Sequence, residues 1–95
     1  MSETKEILIE LSADDITHGT KKDCSDCPVA RAVARALPGS RPEVFHEEIE
    51  LYGKYRGTAT TPSEISEFIE AFDDGVPVEP FRFTLKFEEF EQVQP

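Results

Sequence analysis

Positive charge is scarce in this sequence. Ten Lys and Arg stand against twenty Asp and Glu, for a formal charge of −10 at pH 7. Duplex affinity comes largely from Lys and Arg displacing condensed counterions, so this balance excludes a general phosphate-backbone binder, and no direct duplex contact is expected. No apolar run approaches the ~20 residues of a membrane span and no signal peptide opens the chain, so no membrane partner is expected and the expected compartment is the cytoplasm. Only two cysteines occur, and in that compartment they are reduced by default. Catalytic signatures are missing as well: no G-x-S-x-G, P-loop, H-E-x-x-H or Rossmann glycine pattern can be found. Repeats, low-complexity tracts and linkers are lacking, and 95 residues suit one small domain over 1–95.

What charge there is lies unevenly. Residues 1–20 hold five acids and one base, and residues 57–95 hold nine acids and two bases. Residues 21–56 hold six acids and seven bases, so the middle is +1 while the flanks together are −11. Lys21, Lys22, Arg31, Arg35 and Arg41 crowd around a Cys-x-x-Cys segment there. This pattern fits a solvated helix face with neighbouring ion pairs. It also fits a local anion site inside a repelling shell.

The periodicities give an α+β domain. Ile7, Ile9 and Leu11 alternate with Glu6, Leu8 and Glu10, a half-buried strand over Lys5–Leu11. Ser12 and Asp15 have the spacing of a capping box, and Gly19 suits a left-handed helix stop. Pro28 at the first helical position starts a second helix, with Val29, Val33, Ala36 and Leu37 on one face and Pro38-Gly39 at its end. Glu43–Ala59 reads as a hairpin around a two-residue Gly53-Lys54 turn. Thr61-Pro62-Ser63-Glu64 reads as a threonine cap with Pro at the first helical position. Ile65, Phe68, Ile69 and Phe72 form the stripe of the third helix, closed by Asp73-Asp74-Gly75. Phe81, Phe83, Leu85 and Phe87 alternate cleanly as a last strand. A mostly antiparallel sheet of four or five strands with two main helices packed on one face follows. Phe45 joins the later phenylalanines in the expected core. The tail 89–95 is expected to be flexible or to support self-association into a homo-oligomer, through Phe90 and Val93.

Three chemistries compete at Asp23-Cys24-Ser25-Asp26-Cys27-Pro28. With Pro28 first in the helix, Cys27 is the N-cap, where free amides and the dipole lower a thiol pKa. Cys24 lies three residues back, as in dithiol oxidoreductases, but Asp23 and Asp26 oppose thiolate formation, and the pair reads more simply as structural, Cys27 a small buried cap and Cys24 a loop residue. Zinc is the second reading, with Cys24 and Cys27 as half a site and His18 and His46 completing it, although both histidines are distant in sequence. The third is anion binding: the helix start supplies amides, with Lys21, Lys22, Arg31 and Arg35 around it and Lys54 and Arg56 on the hairpin closing the far side. Capping of the same terminus by Asp26 is the alternative. No cofactor is expected. The glutamates at 47, 48, 50, 64, 67 and 70 have no apolar enclosure that would raise a carboxylate pKa for acid–base work.

Several segments in order, Ser12-Ala-Asp-Asp-Ile16-Thr-His-Gly19, Cys27-Pro-Val-Ala30, Phe68-Ile-Glu-Ala-Phe72-Asp-Asp-Gly75 and Pro80-Phe-Arg-Phe83, resemble a family of small proteins of bacteriophages and of actinobacterial and related genomes. The resemblance covers roughly residues 7–87. It implies a phage-type, non-enzymatic binding protein working in a host cytoplasm, and it transfers no catalytic residue. Two partners follow from it as expectations. One is a small anionic, nucleotide-like defence signal sequestered by Lys21, Lys22, Cys27, Arg31, Arg35, Lys54 and Arg56. The other is a host protein, blocked by an acidic surface that acts as inhibitor or DNA mimic.

Overall fold

The computed structural model describes residues 3–93. Along the chain run β1 (Glu3–Leu11), α1 (Ala13–His18), α2 (Pro28–Ala36), β2 (Ser40–Val44), β3 (Glu48–Gly53), β4 (Tyr55–Thr60), α3 (Ser63–Asp73) and β5 (Phe81–Gln92). The strands form one antiparallel sheet in the order β1-β5-β4-β3-β2, so the fold is α+β. Alternation sorts the two faces. Ile9, Leu11, Ile49, Leu51, Phe83, Leu85 and Phe87 are buried with the apolar stripes of α2 and α3, whereas Leu8, Glu48, Tyr52, Arg82, Thr84 and Lys86 are exposed. Each fully enclosed side chain, such as Phe87 or Ile9, contributes about 1.5–3 kcal/mol of transfer free energy.

Helix α2 packs against both edge strands, β1 and β2. Its alanines allow this, since Ala30 and Ala32 are buried together with Val29 and Val33. Both sheet edges are thereby occupied in part. Arg35 Nη2 donates to the Glu10 carbonyl at 2.6 Å on β1. On β2, the Ser40 amide donates to Leu37 O at 2.9 Å and the Val44 amide to Cys24 O at 2.8 Å. Pro42 between them has no amide to offer, so β2 is a poor template for a further strand.

Several sequence expectations need correction. Strand β2 was not separable from the hairpin by periodicity, because Pro42 interrupts its pattern; its register against β3 sets Pro42 opposite Leu51. The β3–β4 register is symmetric about Lys54, so the connection is odd in length and not the two-residue turn expected, with Gly53 at φ +88. Gly19 is not left-handed: its φ is −67. A Cβ there would lie 2.7 Å from Pro28 Cδ, so glycine serves the close approach of α1 to the start of α2. Thr61 does not cap α3; its hydroxyl donates to Phe45 O at 2.8 Å, and the helix starts at Ser63 with no side-chain cap. Ala36 is exposed, and Phe45 is 39% exposed rather than core. The tail is structural through Gln92: Phe90 is buried and stacks on Tyr55 with ring centroids 5.6 Å apart, and the Val93 amide donates to Lys54 O at 2.7 Å. Neither Phe90 nor this amide is spare for self-association, and residues 94–95 of the expected tail lie outside the described residues.

Candidate functional site

The expected anion site does not assemble. Cys27 is the N-cap of α2, as the position of Pro28 requires, but its sulfur is itself the cap, accepting from the Ala30 amide at 3.4 Å. Pro28 has no amide, and Val29 is fully buried. The dipole end is therefore closed by a neutral thiol. Asp26, the alternative cap, instead accepts from Thr20 Oγ1 at 2.7 Å.

Lys22 lines the same cavity as Cys27, but the other five expected cations are paired or lie elsewhere. Arg31 pairs with Asp26 at 3.5 Å. Arg35 makes a bidentate pair with Asp15, both bonds 2.7 Å, besides its bond to Glu10 O. Lys21 reaches over Gly75 at the C-terminal end of α3, within 3.3 Å of where a Cβ would stand, which suits the negative end of that helix. Lys54 lies along Gly39, just past the C-terminal end of α2 and so at the far end from Cys27, while Arg56 sits 3.9 Å from Glu91. These seven residues do not form one pocket.

Thiol chemistry is disfavoured too. Burial pushes the Cys27 thiol up to about 11, the Asp73 carboxylate adds to the rise, and the Ala30 and Val29 amides only partly oppose it. Burial outweighs the helix dipole, so Cys27 is the small buried cap of the structural reading and not the low-pKa thiol of the redox one. For zinc, no group of three or more Cys, His, Asp or Glu able to hold a metal ion occurs among the described residues. Cys24 is half-buried, His18 is exposed at the end of α1, and His46 Nδ1 lies 3.3 Å from Ser66 Oγ.

What the fold does assemble is an acidic groove of about 620 Å³ beside the Cys24–Cys27 segment. Cys27, Val44 and Ile69 are buried residues in its wall, and the exposed Phe45 ring contributes apolar surface at the rim. Five carboxylates (Asp23, Glu47, Glu48, Glu50 and Asp73) line it against one ammonium, Lys22. Both rims are fastened. The β2–β3 turn is tied to the start of α3 by Thr61 N to Glu47 O at 3.0 Å and by the Thr61 hydroxyl to Phe45 O. The loop before α2 is tied to α3 by Lys22 N to Asp73 Oδ1 at 2.8 Å, with Lys22 in the left-handed region at φ +59.

Of this groove, sequence reasoning found Lys22, Cys24, Cys27 and His46 but assigned Phe45 to the core and Glu47, Glu48 and Glu50 to plain solvent. A signal was present in Phe45-His-Glu-Glu48: an aromatic beside a tight polar turn has no neighbouring strand to cover it. Asp73 and Ile69 had no such signal, because their place depends on how α3 crosses the sheet end. Compared with protein families, with characterised proteins and with solved structures, the chain matches none.

Proposed function

We propose that this protein is a non-enzymatic binding module that engages a basic protein partner through its acidic surface. The observation that carries this reading is the balance of surface charge: of ten Lys and Arg against twenty Asp and Glu, Arg31, Arg35 and Arg56 already face Asp26, Asp15 and Glu91. A chain of net charge −10 then presents outward a field that repels nucleotides and steers cationic partners. This favours the protein inhibitor or DNA mimic over sequestration of a nucleotide-like signal, whose amide site is closed by the Cys27 sulfur. The resemblance to phage-type small proteins adds a setting, in which the partner is a host protein.

Thermal-shift titrations with linear and cyclic nucleotides, run beside affinity capture and reconstitution with the purified partner, test it. The expected result is no nucleotide stabilisation, and a complex that weakens as salt rises. Ala substitutions at Lys21 or Arg31 should leave that complex intact. A nucleotide that raises the melting temperature in a concentration-dependent way, and loses the effect in those variants, sinks the reading.

A further inference from the structure

The groove between the β2–β3 turn, the loop before α2 and α3 has the two properties of a peptide anchor site. Its wall is apolar at Val44, Ile69 and the Phe45 ring, and its lining charge is negative. Its volume, about 620 Å³, falls inside the ~300–1,000 Å³ of ligand pockets, enough for one large apolar side chain with adjoining backbone. The backbone that carries the exposed Phe45 is fastened by the Thr61 bonds, so little backbone entropy is lost when a partner covers it. Phosphates and carboxylates are turned away by five carboxylates against one ammonium. Lysine and arginine side chains are drawn in.

Resting on the protein-binding reading above, we propose that this groove docks a short linear segment of the partner that carries an aromatic or aliphatic residue flanked by Lys or Arg. The apolar side chain sits against Phe45, Val44 and Ile69. The flanking cations reach Glu47, Glu48 and Glu50 on one side and Asp23 and Asp73 on the other. Glu50 is suited to this role, because it stands directly opposite Glu43 across the β2–β3 pair and a cation relieves that like-charge contact.

The test uses the full chain and blocked synthetic peptides, followed by backbone amide chemical shifts. The probes are Arg-Lys-Phe-Leu-Lys-Arg, the same peptide with Gly-Gly for Phe-Leu, and Glu-Asp-Phe-Leu-Asp-Glu. The first should bind saturably and shift Lys22, Phe45, His46, Glu48 and Asp73, leaving Thr84 unmoved. The second should bind at least about tenfold more weakly, a loss of ~1.4 kcal/mol. The third should not bind. Paired Glu47→Lys and Glu48→Lys changes on the exposed turn should abolish the shifts, and Phe45→Ala should mimic the loss seen with the Gly-Gly probe. Saturable shifts that map instead to Glu88 and Glu91 overturn the groove while leaving the acidic-surface reading standing. Failure of every cationic probe and of every basic protein overturns both.

Discussion

Asp15 and Arg35 face each other through two parallel hydrogen bonds of 2.7 Å, with the carboxylate almost wholly buried and the guanidinium half exposed. The same carboxylate closes the capping box of α1 by accepting the Ser12 amide at 2.9 Å, and the same guanidinium reaches Glu10 O. One ion pair thus ties β1, α1 and α2 together. An arginine that sequence position offers to a ligand is here a structural clamp.

Asp15→Ala should therefore destabilise the fold by about 3 kcal/mol, the low end for breaking a buried pair because Arg35 keeps access to water. Arg35→Ala should cost a similar amount, since it strands the carboxylate. Urea denaturation measures both. A double variant that loses far less than the two single losses combined would show the coupling. Neither change should alter partner binding in the folded fraction.

Stability should also depend on acid pH through the same residue. Burial opposes ionisation of Asp15, but the Arg35 and Ser12 hydrogen bonds and the Arg35 charge outweigh it and hold the pKa below the usual carboxylate range. A depressed folded-state pKa contributes stability that is fully present above the unfolded value, about 3.9, and is lost as pH falls through the folded value. Melting temperature should thus fall below about pH 4 in the native chain. Subtracting the Asp15→Asn profile should isolate this residue's share, and a constant difference between the two profiles across the acid range would refute it.

Cys27 should be inert where Cys24 is not. With its thiol pushed up to about 11 and buried, Cys27 should resist alkylation at neutral pH in the folded state, while the half-buried Cys24 reacts. Mass spectrometry after timed labelling reads this directly. Cys27→Ala should cost ~1 kcal/mol as a lost N-cap, whereas Cys27→Ser, which retains an acceptor, should cost less.

Gly19→Ala should destabilise although its backbone angle is ordinary. The added methyl would meet Pro28 Cδ at 2.7 Å and the Asp15 carbonyl at 2.8 Å, and neither can swing away. A loss of about 1–3 kcal/mol is expected from such overpacking. A melting temperature equal to that of the native chain would show that α1 can shift without cost.

The elements legible in the sequence were those whose signals are local. Ser12 and Asp15 form their capping box, Pro28 starts α2 with Cys27 as cap, and Ile65, Phe68, Ile69 and Phe72 all turn inward. Each depends on spacing within a few residues, which the helical and strand periods fix. Thr61 misled because its hydroxyl, expected to accept a helix amide, instead donates to the Phe45 carbonyl in the β2–β3 turn.

The sequence by itself determined the class of fold, the position of the helix starts and the excess of negative charge, because these follow from residue type and short-range period. Only the tertiary structure decided where the cations went. Arg35 finds Asp15 twenty positions away, and the backbone amide of Lys22 meets Asp73 of α3 across fifty-one, which fixes where that lysine stands; contacts at such separations are set by how helices cross a sheet, not by the order of charges along the chain. The same crossing gathered five carboxylates around one open groove.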